Sequence, residues 1–313
     1  MRYKFSNKYL KARPETLSVK LLKTTIFVLL LFSLQTVRAQ SPLPNGFAHN
    51  DYLHKHPLLD ALANGYTNIE ADIFLHGKKL IIAHFNPFFK NDRTLERLYL
   101  KPLSDRIKNN NGQVYKGYNS PVILMIDIKT GAVNTYPALK QLLEKYRPIL
   151  SSYDHGQVHQ GPVTVVLSGN KPYDAIKNED DRLAFIDEDL RKTYQDTSAR
   201  DVYKMSSCKY SRLIDWRGNG DIPTVEEDKL RAFVNMAHKF GKKVRLWASP
   251  ENDKVWNELL KCKVDLINTD KLVVLKNFLI SHTTTITPAA TNTAIVNTYA
   301  TATKIPAAGI LNL

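Results

Sequence analysis

The chain has 313 residues, 43% of them hydrophobic, and a formal charge of +14, so one large domain with a sizeable core is within reach. The charge is no nucleic-acid footprint. Residues 1–39 carry eight Lys/Arg against one acid, and the rest of the chain spreads 36 basic and 29 acidic residues with no basic run. A small acidic or phosphorylated molecule therefore suits the chain as a partner, and a nucleic acid does not. Two cysteines, Cys208 and Cys262, exclude a disulfide framework. One bridge fits an oxidising compartment, but neither has a CxxC or metal-like neighbour, and two buried thiols are the expectation.

In chain order, a basic stretch up to Lys23 precedes an apolar block from Thr24 to Leu34, and Val37-Arg38-Ala39 puts small residues at −3 and −1 before Gln40. This pattern reads as a secretory signal over residues 1–39; the apolar block is about half of the roughly 20 residues a bilayer span requires. The protein is expected to be exported, to a periplasm or the medium. Strands are predicted at Gly46–His49, Asn68–Leu75 with a hairpin return over Leu80–His84, Val122–Lys129, Val163–Ser168, Leu183–Asp187, Tyr203–Ser206, Lys243–Ala248 and Leu266–Asn268. Nearly continuous apolar runs such as VILMI and VTVVL suit strands buried on both faces of a parallel sheet. Helical patterns fall at Pro57–Ala63, Tyr136–Tyr146, Val225–Phe240 and Asp253–Cys262. Eight strand positions alternating with helices over roughly 225 residues match a single-domain α/β (β/α)8 barrel of about 250 residues, here residues 40–280. An open doubly wound sheet is the alternative, but no G-x-G-x-x-G follows a strand. From Ser281 to Leu313, sixteen residues are Thr or Ala, which reads as a low-complexity disordered tail.

The chemistry concentrates between Gly46 and Phe85, which holds five of the nine histidines: His49, His54, His56, His76 and His84. Glu70 and Asp72 stand at i and i+2 on one strand, so their carboxylates share a face. At the carboxyl end of a barrel strand that face is the mouth, and two close carboxylates call for a hard divalent cation. His49 and His84 end predicted strands on either side of that pair, as general acid and base near neutral pH require. Asp127-x-Lys129 repeats the i, i+2 spacing, offering another oxygen ligand and a cation for phosphate. His54-Lys-His56 is an alternative zinc pair, ranked lower because it abuts Pro57 at a helix start. Trp247 is expected to wall a substrate pocket.

The order His49-Asn50, Glu70-x-Asp72, His84, Asp127-x-Lys129 and Leu266-Ile-Asn-Thr-Asp270 resembles the phosphatidylinositol-specific phospholipase C-like superfamily, which includes the glycerophosphodiester phosphodiesterases. The resemblance runs from about Gly46 to Leu279. It implies a barrel phosphodiesterase with catalytic His49 and His84 and a divalent cation on Glu70, Asp72 and Asp127, the last in place of a more usual Glu. The sequence departs at His49-Asn50-Asp51, where glycerophosphodiesterases carry His-Arg-Gly. The Asn resembles that of eukaryotic-type phospholipase C, which implies Asn50 as a further ligand. The phosphate-gripping Arg is missing, leaving Lys129 or Arg245 for substrate binding.

The reading is thus an exported, monomeric, metal-dependent phosphodiesterase acting on a glycerophosphodiester or phospholipid head group, with transient membrane-surface contact for access. Calcium stands ahead of magnesium as cofactor, because an exported protein meets more of it and the ligands include an amide. The alternatives are a zinc hydrolase of the amidohydrolase type and a non-catalytic barrel that binds phosphorylated head groups.

Overall fold

The computed structural model describes residues 41–87, 92–195 and 201–285. The expected leader over 1–39 and residues 286–313 of the expected tail lie outside these.

Eight parallel strands follow one another around a single sheet: β1 Leu43–Ala48, β2 Tyr66–His76, β3 Val122–Ile128, β4 Val163–Gly169, β5 Ala184–Asp189, β6 Tyr203–Lys209, β7 Lys243–Trp247 and β8 Ile267–Thr269. Each pairs with its chain neighbour from β1 to β7, and β8 returns to β1 through Gly46↔Ile267 and Ala48↔Thr269. Between β7 and β8 an Arg245↔Leu266 bridge, with the Leu266 N–H donating to the Val244 carbonyl at 3.1 Å, nearly closes the ring. Near-closure leaves little free edge for another strand to pair with. The hairpin return is present as Lys79–Ile82, antiparallel to β2 with Leu75 opposite Leu80.

Helices lie on the connections: α1 Leu59–Ala63, α2 Lys101–Asn109, α3 Ala132–Glu144, α4 Tyr173–Lys177, α5 Thr224–Lys239, α6 Asp253–Lys261 and α7 Leu272–Thr285. Between β5 and β6 the described residues hold only the short 3-10 turn Leu190–Lys192. A small antiparallel sheet, formed by Ser152–Asp154, Gln157–His159 and Asp181–Arg182, sits beside the ring. The last helix runs to Thr285, past the Ser281 boundary drawn for the tail. α6 shows how the pieces are stitched. Its N-cap Asn252 accepts the Val255 N–H at 3.0 Å, and Val255, Trp256 and Leu259 turn one face into the core.

Alternation along the strands sorts the core into two bodies. Outward residues such as Leu124, Ile126, Val165 and Leu167 join the large cluster against the helices, while Phe47, Ile123, Met125, Val166, Phe185, Met205 and Leu266 fill the ring's interior. The same parity continued two residues along β3 to β6 changes the chemistry from apolar to polar, and β2 is polar beside them: Asp72 pairs in register with Asp127, and Asp127 with Ser168. The ring is therefore plugged below and polar at the carboxyl ends of its strands, where α/β rings of this kind carry their sites.

Candidate active site at the carboxyl ends of the strands

A cavity of about 470 Å³ opens at this end, lined among others by His49, Asn50, Glu70, Asp72, His84, Asp127, Lys129, Arg245 and Trp247. All nine residues expected to be catalytic, metal-binding or substrate-binding thus line one space. Glu70 and Asp72 come from β2, Asp127 from β3, and one oxygen of each lies within 4.8 Å of the others. At an effective dielectric near 20, each pair of charges that close repels by roughly 3–4 kcal/mol. Glu70 and Asp72 are buried, with side chains only 5% and 2% exposed, so solvent does little to relieve them.

Protein cations relieve the repulsion in part. Burial pushes the Glu70 carboxyl up, but Arg245 at 3.2 Å, His49 at 3.5 Å and the Asn50 N–H at 3.2 Å hold it below its ordinary value. Asp72 goes the other way: burial, with Glu70 and Asp127 nearby, raises it despite the Tyr52 hydroxyl and the Lys129 ammonium at 3.0 Å. Lys129 loses by burial and gains more from Asp127 and Asp72, so its ammonium is held charged. Asp127 Oδ1 is buried, stands 3.3 Å from that ammonium and makes no hydrogen bond. Three converging carboxylates, one raised in pKa and one with an unsatisfied oxygen, are a donor set that fits a hard divalent cation.

The two histidines are held by different partners. His49, just after β1, pairs through Nδ1 with Asp270 Oδ1 at 2.7 Å, beyond β8. His84 pairs through Nδ1 with the Tyr52 hydroxyl at 2.8 Å. In each neutral ring, an Nδ1–H donated to its partner leaves Nε2 as the free base. Asn50 adopts a left-handed backbone, φ 47, a conformation open to Asn at modest cost, and the turn sends the chain into Asp51–Leu53. Its side-chain oxygen meets the Tyr52 hydroxyl at 2.5 Å, while its amide nitrogen lies 3.3 Å from Asp270 Oδ1.

Tyr52 is the residue the sequence reading passed over. Its ring is buried, and its hydroxyl also reaches Asp72 Oδ2 at 2.7 Å. One phenolic proton faces both Asn50 Oδ1 and Asp72 Oδ2, so at least one of these oxygens keeps its lone pairs for another partner. Burial and the Asp72 carboxylate push the phenol far up in pKa, which keeps it a neutral donor. Gly169 was also overlooked. At φ +68, any Cβ there would collide with the Asp127 carboxylate and the Ile128 carbonyl, so the third carboxylate depends on a glycine one strand away.

The expected substrate-binding residues divide. Arg245 lies in the floor, 3% exposed, with Nε donating to Asn268 Oδ1 at 2.8 Å and its guanidinium 3.9 Å above the Phe47 ring. Its donors are committed there to Glu70 and Asn268, and it props the acidic cluster from below. Trp247 is 40% exposed at the end of β7, and the next residue, Ala248, sits at φ 54, a strained conformation for alanine. His56 pairs with Asp60 at 3.2 Å. Among the described residues the groups of three or more converging His, Cys, Asp or Glu ligands are Glu70/Asp72/Asp127 and Glu227/Glu258/Cys262, and neither contains His54 or His56. Both cysteines are buried and free, and burial pushes the Cys208 thiol up to about 12.

Residues 35–187, which carry His49, Asn50, Glu70, Asp72, His84, Asp127 and Lys129, match the model of the AIM6-like phosphodiesterase domain. The chain is 29% identical over 267 residues to Altered inheritance of mitochondria protein 6 of Eremothecium gossypii, across 74% of this chain and 68% of that one. It is 28% identical over 291 residues to the Candida glabrata protein of that name, across 76% and 70% of the two chains. It is 24% identical over 296 residues to an Arthroderma benhamiae homolog, across 85% and 93%. The protein is thus similar, through the half of its ring that holds the acidic cluster and both histidines, to a phosphodiesterase domain.

Proposed function

We propose that the protein is a metal-dependent phosphodiesterase of the phospholipase C-like and glycerophosphodiesterase type, built on a (β/α)8 barrel and hydrolysing a glycerophosphodiester or phospholipid-type phosphodiester. The observation that carries this reading is the convergence of Glu70, Asp72 and Asp127 between His49 and His84. The similarity to a phosphodiesterase domain supports it. The leader sequence supports export, and calcium is the first candidate cation, magnesium the second.

Glu70, Asp72 and Asp127, with Asn50 beside them, would hold the cation. When bound, it supplies a positive charge that neutralises the phosphate and acidifies an attacking hydroxyl. The remaining work belongs to side chains of this protein. Asp270 and Tyr52 fix the His49 and His84 rings through Nδ1 and leave Nε2 of each to exchange a proton with substrate. One histidine, entering neutral, takes the proton of the attacking hydroxyl at Nε2, and the other, entering as the imidazolium, gives its Nε2 proton to the departing oxygen. Help of this kind is typically worth about 10²–10⁴-fold. Lys129 keeps its charge beside the acidic cluster, where it faces the phosphate oxygens. Where the substrate carries a hydroxyl beside the phosphate, that hydroxyl is the attacking group, and the product is a cyclic phosphate that water then opens.

The test is a panel of glycerophosphodiesters, phosphoinositides and lysophospholipids with calcium or magnesium, run on wild type, His49→Ala and His84→Ala. Turnover by wild type and its loss in both folded variants are expected. Wild-type rates in either variant would remove that histidine from the mechanism. Binding without turnover across the panel would favour a head-group-binding barrel instead.

A further inference from the structure

Six basic and six acidic side chains line the cavity, so with a divalent cation bound it would hold more positive charge than one phosphodiester uses. At its catalytic end, the three carboxylates, Lys129, Arg245 and a divalent cation leave a single positive charge, which one phosphodiester anion cancels. Other lining charges are spent in pairs: Asp189 with Arg191 at 2.6 Å and Glu188 with Lys242 at 2.6 Å. Lys171 donates to the Asp187 carbonyl at 2.6 Å and offsets the buried Asp187 carboxylate. Two lining cations remain, Lys209 and Arg212. Both are exposed, and among the described residues neither has an acidic partner.

Their placement is fixed by the fold. Lys209 ends β6 in register with Trp247 on β7, and its ammonium lies 5.9 Å from the centre of the indole ring, within cation–π range. Arg212 closes the 3-10 turn that follows. Buried Tyr210 anchors that turn, its hydroxyl donating to the Trp216 carbonyl at 2.7 Å. The two cations and the exposed indole thus stand together on the β6–β7 side of the mouth. The acidic cluster lies across on β2 and β3.

We propose that the preferred substrate is a phosphodiester bearing a second anionic group, a phosphomonoester or a carboxylate, which Lys209 and Arg212 hold beside Trp247 while the diester lies at the acidic cluster. This rests on the phosphodiesterase reading above and narrows its substrate class. A single zwitterionic head group leaves both cations unanswered. A second anion answers them without entering the proton-transfer geometry.

The experiment compares three glycerophosphodiesters in the same preparation: one with a neutral alcohol, one whose alcohol carries a phosphate, and one whose alcohol carries a carboxylate. The wild type is expected to favour one or both anionic substrates by at least about tenfold in kcat/KM, the scale of one good charge-assisted contact. In Lys209→Gln/Arg212→Gln the ratio to the neutral substrate should fall toward one. A ratio within one preparation is indifferent to how much of the variant is folded. The two anionic arms separate phosphate from carboxylate recognition. Turnover of all three without preference, or a preference that survives the double variant, overturns the second-anion site and leaves the phosphodiesterase reading standing. Turnover of none of these, nor of the phosphoinositides and lysophospholipids of the wider panel, overturns the phosphodiesterase reading. Calorimetric titration of chelator-treated protein with inorganic phosphate then still decides the site: binding at least about fivefold weaker in the double variant is expected, and equal binding contradicts it.

Discussion

Tyr52→Phe removes one oxygen atom from the buried junction between the acidic cluster and His84. Three contacts disappear with it: 2.7 Å to Asp72 Oδ2, 2.8 Å to His84 Nδ1 and 2.5 Å to Asn50 Oδ1. The ring itself stays, buried against the core, so no cavity larger than a hydroxyl is created. A hydrogen bond to a charged group contributes about 1.5–3 kcal/mol, and Asp72 Oδ2 is left with the Lys129 ammonium at 3.0 Å as its remaining close partner. Stability should therefore fall by roughly 1.5–3 kcal/mol, about the worth of that bond. The catalytic loss has a separate origin. Without the phenol, the nearest acceptor for His84 Nδ1 is Asp72 Oδ2 at 3.6 Å, too far for a good hydrogen bond, and the ring is freer to change tautomer and tilt. Losing the partner that orients such a group typically costs about 10–100-fold, and kcat/KM for a phosphodiester should drop by that much. The assay is a pH–rate profile of kcat/KM alongside chemical denaturation. A positioning role predicts a displaced histidine limb as well as a lower plateau. Wild-type kcat/KM with an unmoved profile, in a variant whose stability has fallen, would show that Tyr52 braces the fold and nothing more.

Three further outcomes follow from the geometry. Gly169→Ala forces a Cβ into the Asp127 carboxylate at a φ of +68, so it should lower calcium or magnesium affinity at least about tenfold by calorimetry, the loss typical when the support of a ligand is removed; unchanged affinity would detach Asp127 from the cation site. Asp51, buried and facing the Leu58 N–H and the Tyr99 hydroxyl, has its carboxyl raised from 3.8 to about 7, chiefly by burial. Its folded pKa is the higher one, so its contribution is fully present below about pH 4 and fades as pH rises through about 7, by up to ~4 kcal/mol. The stability of wild type relative to Asp51→Asn should therefore fall between about pH 4 and 7, and parallel curves would refute the assignment. Arg245→Met removes the buried partner of Glu70 at 3.2 Å. An uncompensated buried charge costs about 3–5 kcal/mol, and a divalent cation should recover part of that in thermal denaturation; a variant with unchanged stability in chelator would contradict the propping role.

Much of this site was legible in the sequence for a plain geometric reason. In Glu70-x-Asp72 and Asp127-x-Lys129 the spacing of two fixes which side chains share a face, and the continuous apolar runs around them mark strands buried on both sides. The positions of all eight strands follow from those runs, to within a few residues at either end. Other parts carry no such signal. Tyr52 lies in an irregular turn, where no periodicity says which way a side chain points, and an aromatic two residues after Asn50 looks like ordinary packing. Gly169 acts on a neighbouring strand, and its effect on Asp127 exists only once the register sets them side by side. Arg245 reads as a phosphate ligand because sequence shows its charge but not its depth. In the fold it lies one layer below the mouth, against Phe47 and Asn268. Among the described residues the β5–β6 connection holds the short turn Leu190–Lys192, a stretch for which the sequence offers no helical pattern. The final helix outruns the expected boundary because Ser281 and the threonines after it continue a turn already begun, and Ser281 donates back to the Phe278 carbonyl at 2.8 Å.

The account rests on a cation at Glu70, Asp72 and Asp127 working with two histidines on a phosphodiester. The most direct measurement is glycerophosphodiester turnover by the full chain after exhaustive chelation, followed by stepwise return of calcium or magnesium. Turnover should vanish in chelator and return with metal in wild type, and should not return in Glu70→Ala/Asp72→Ala. Full turnover in chelator, or a double variant that responds to metal as wild type does, would contradict the account.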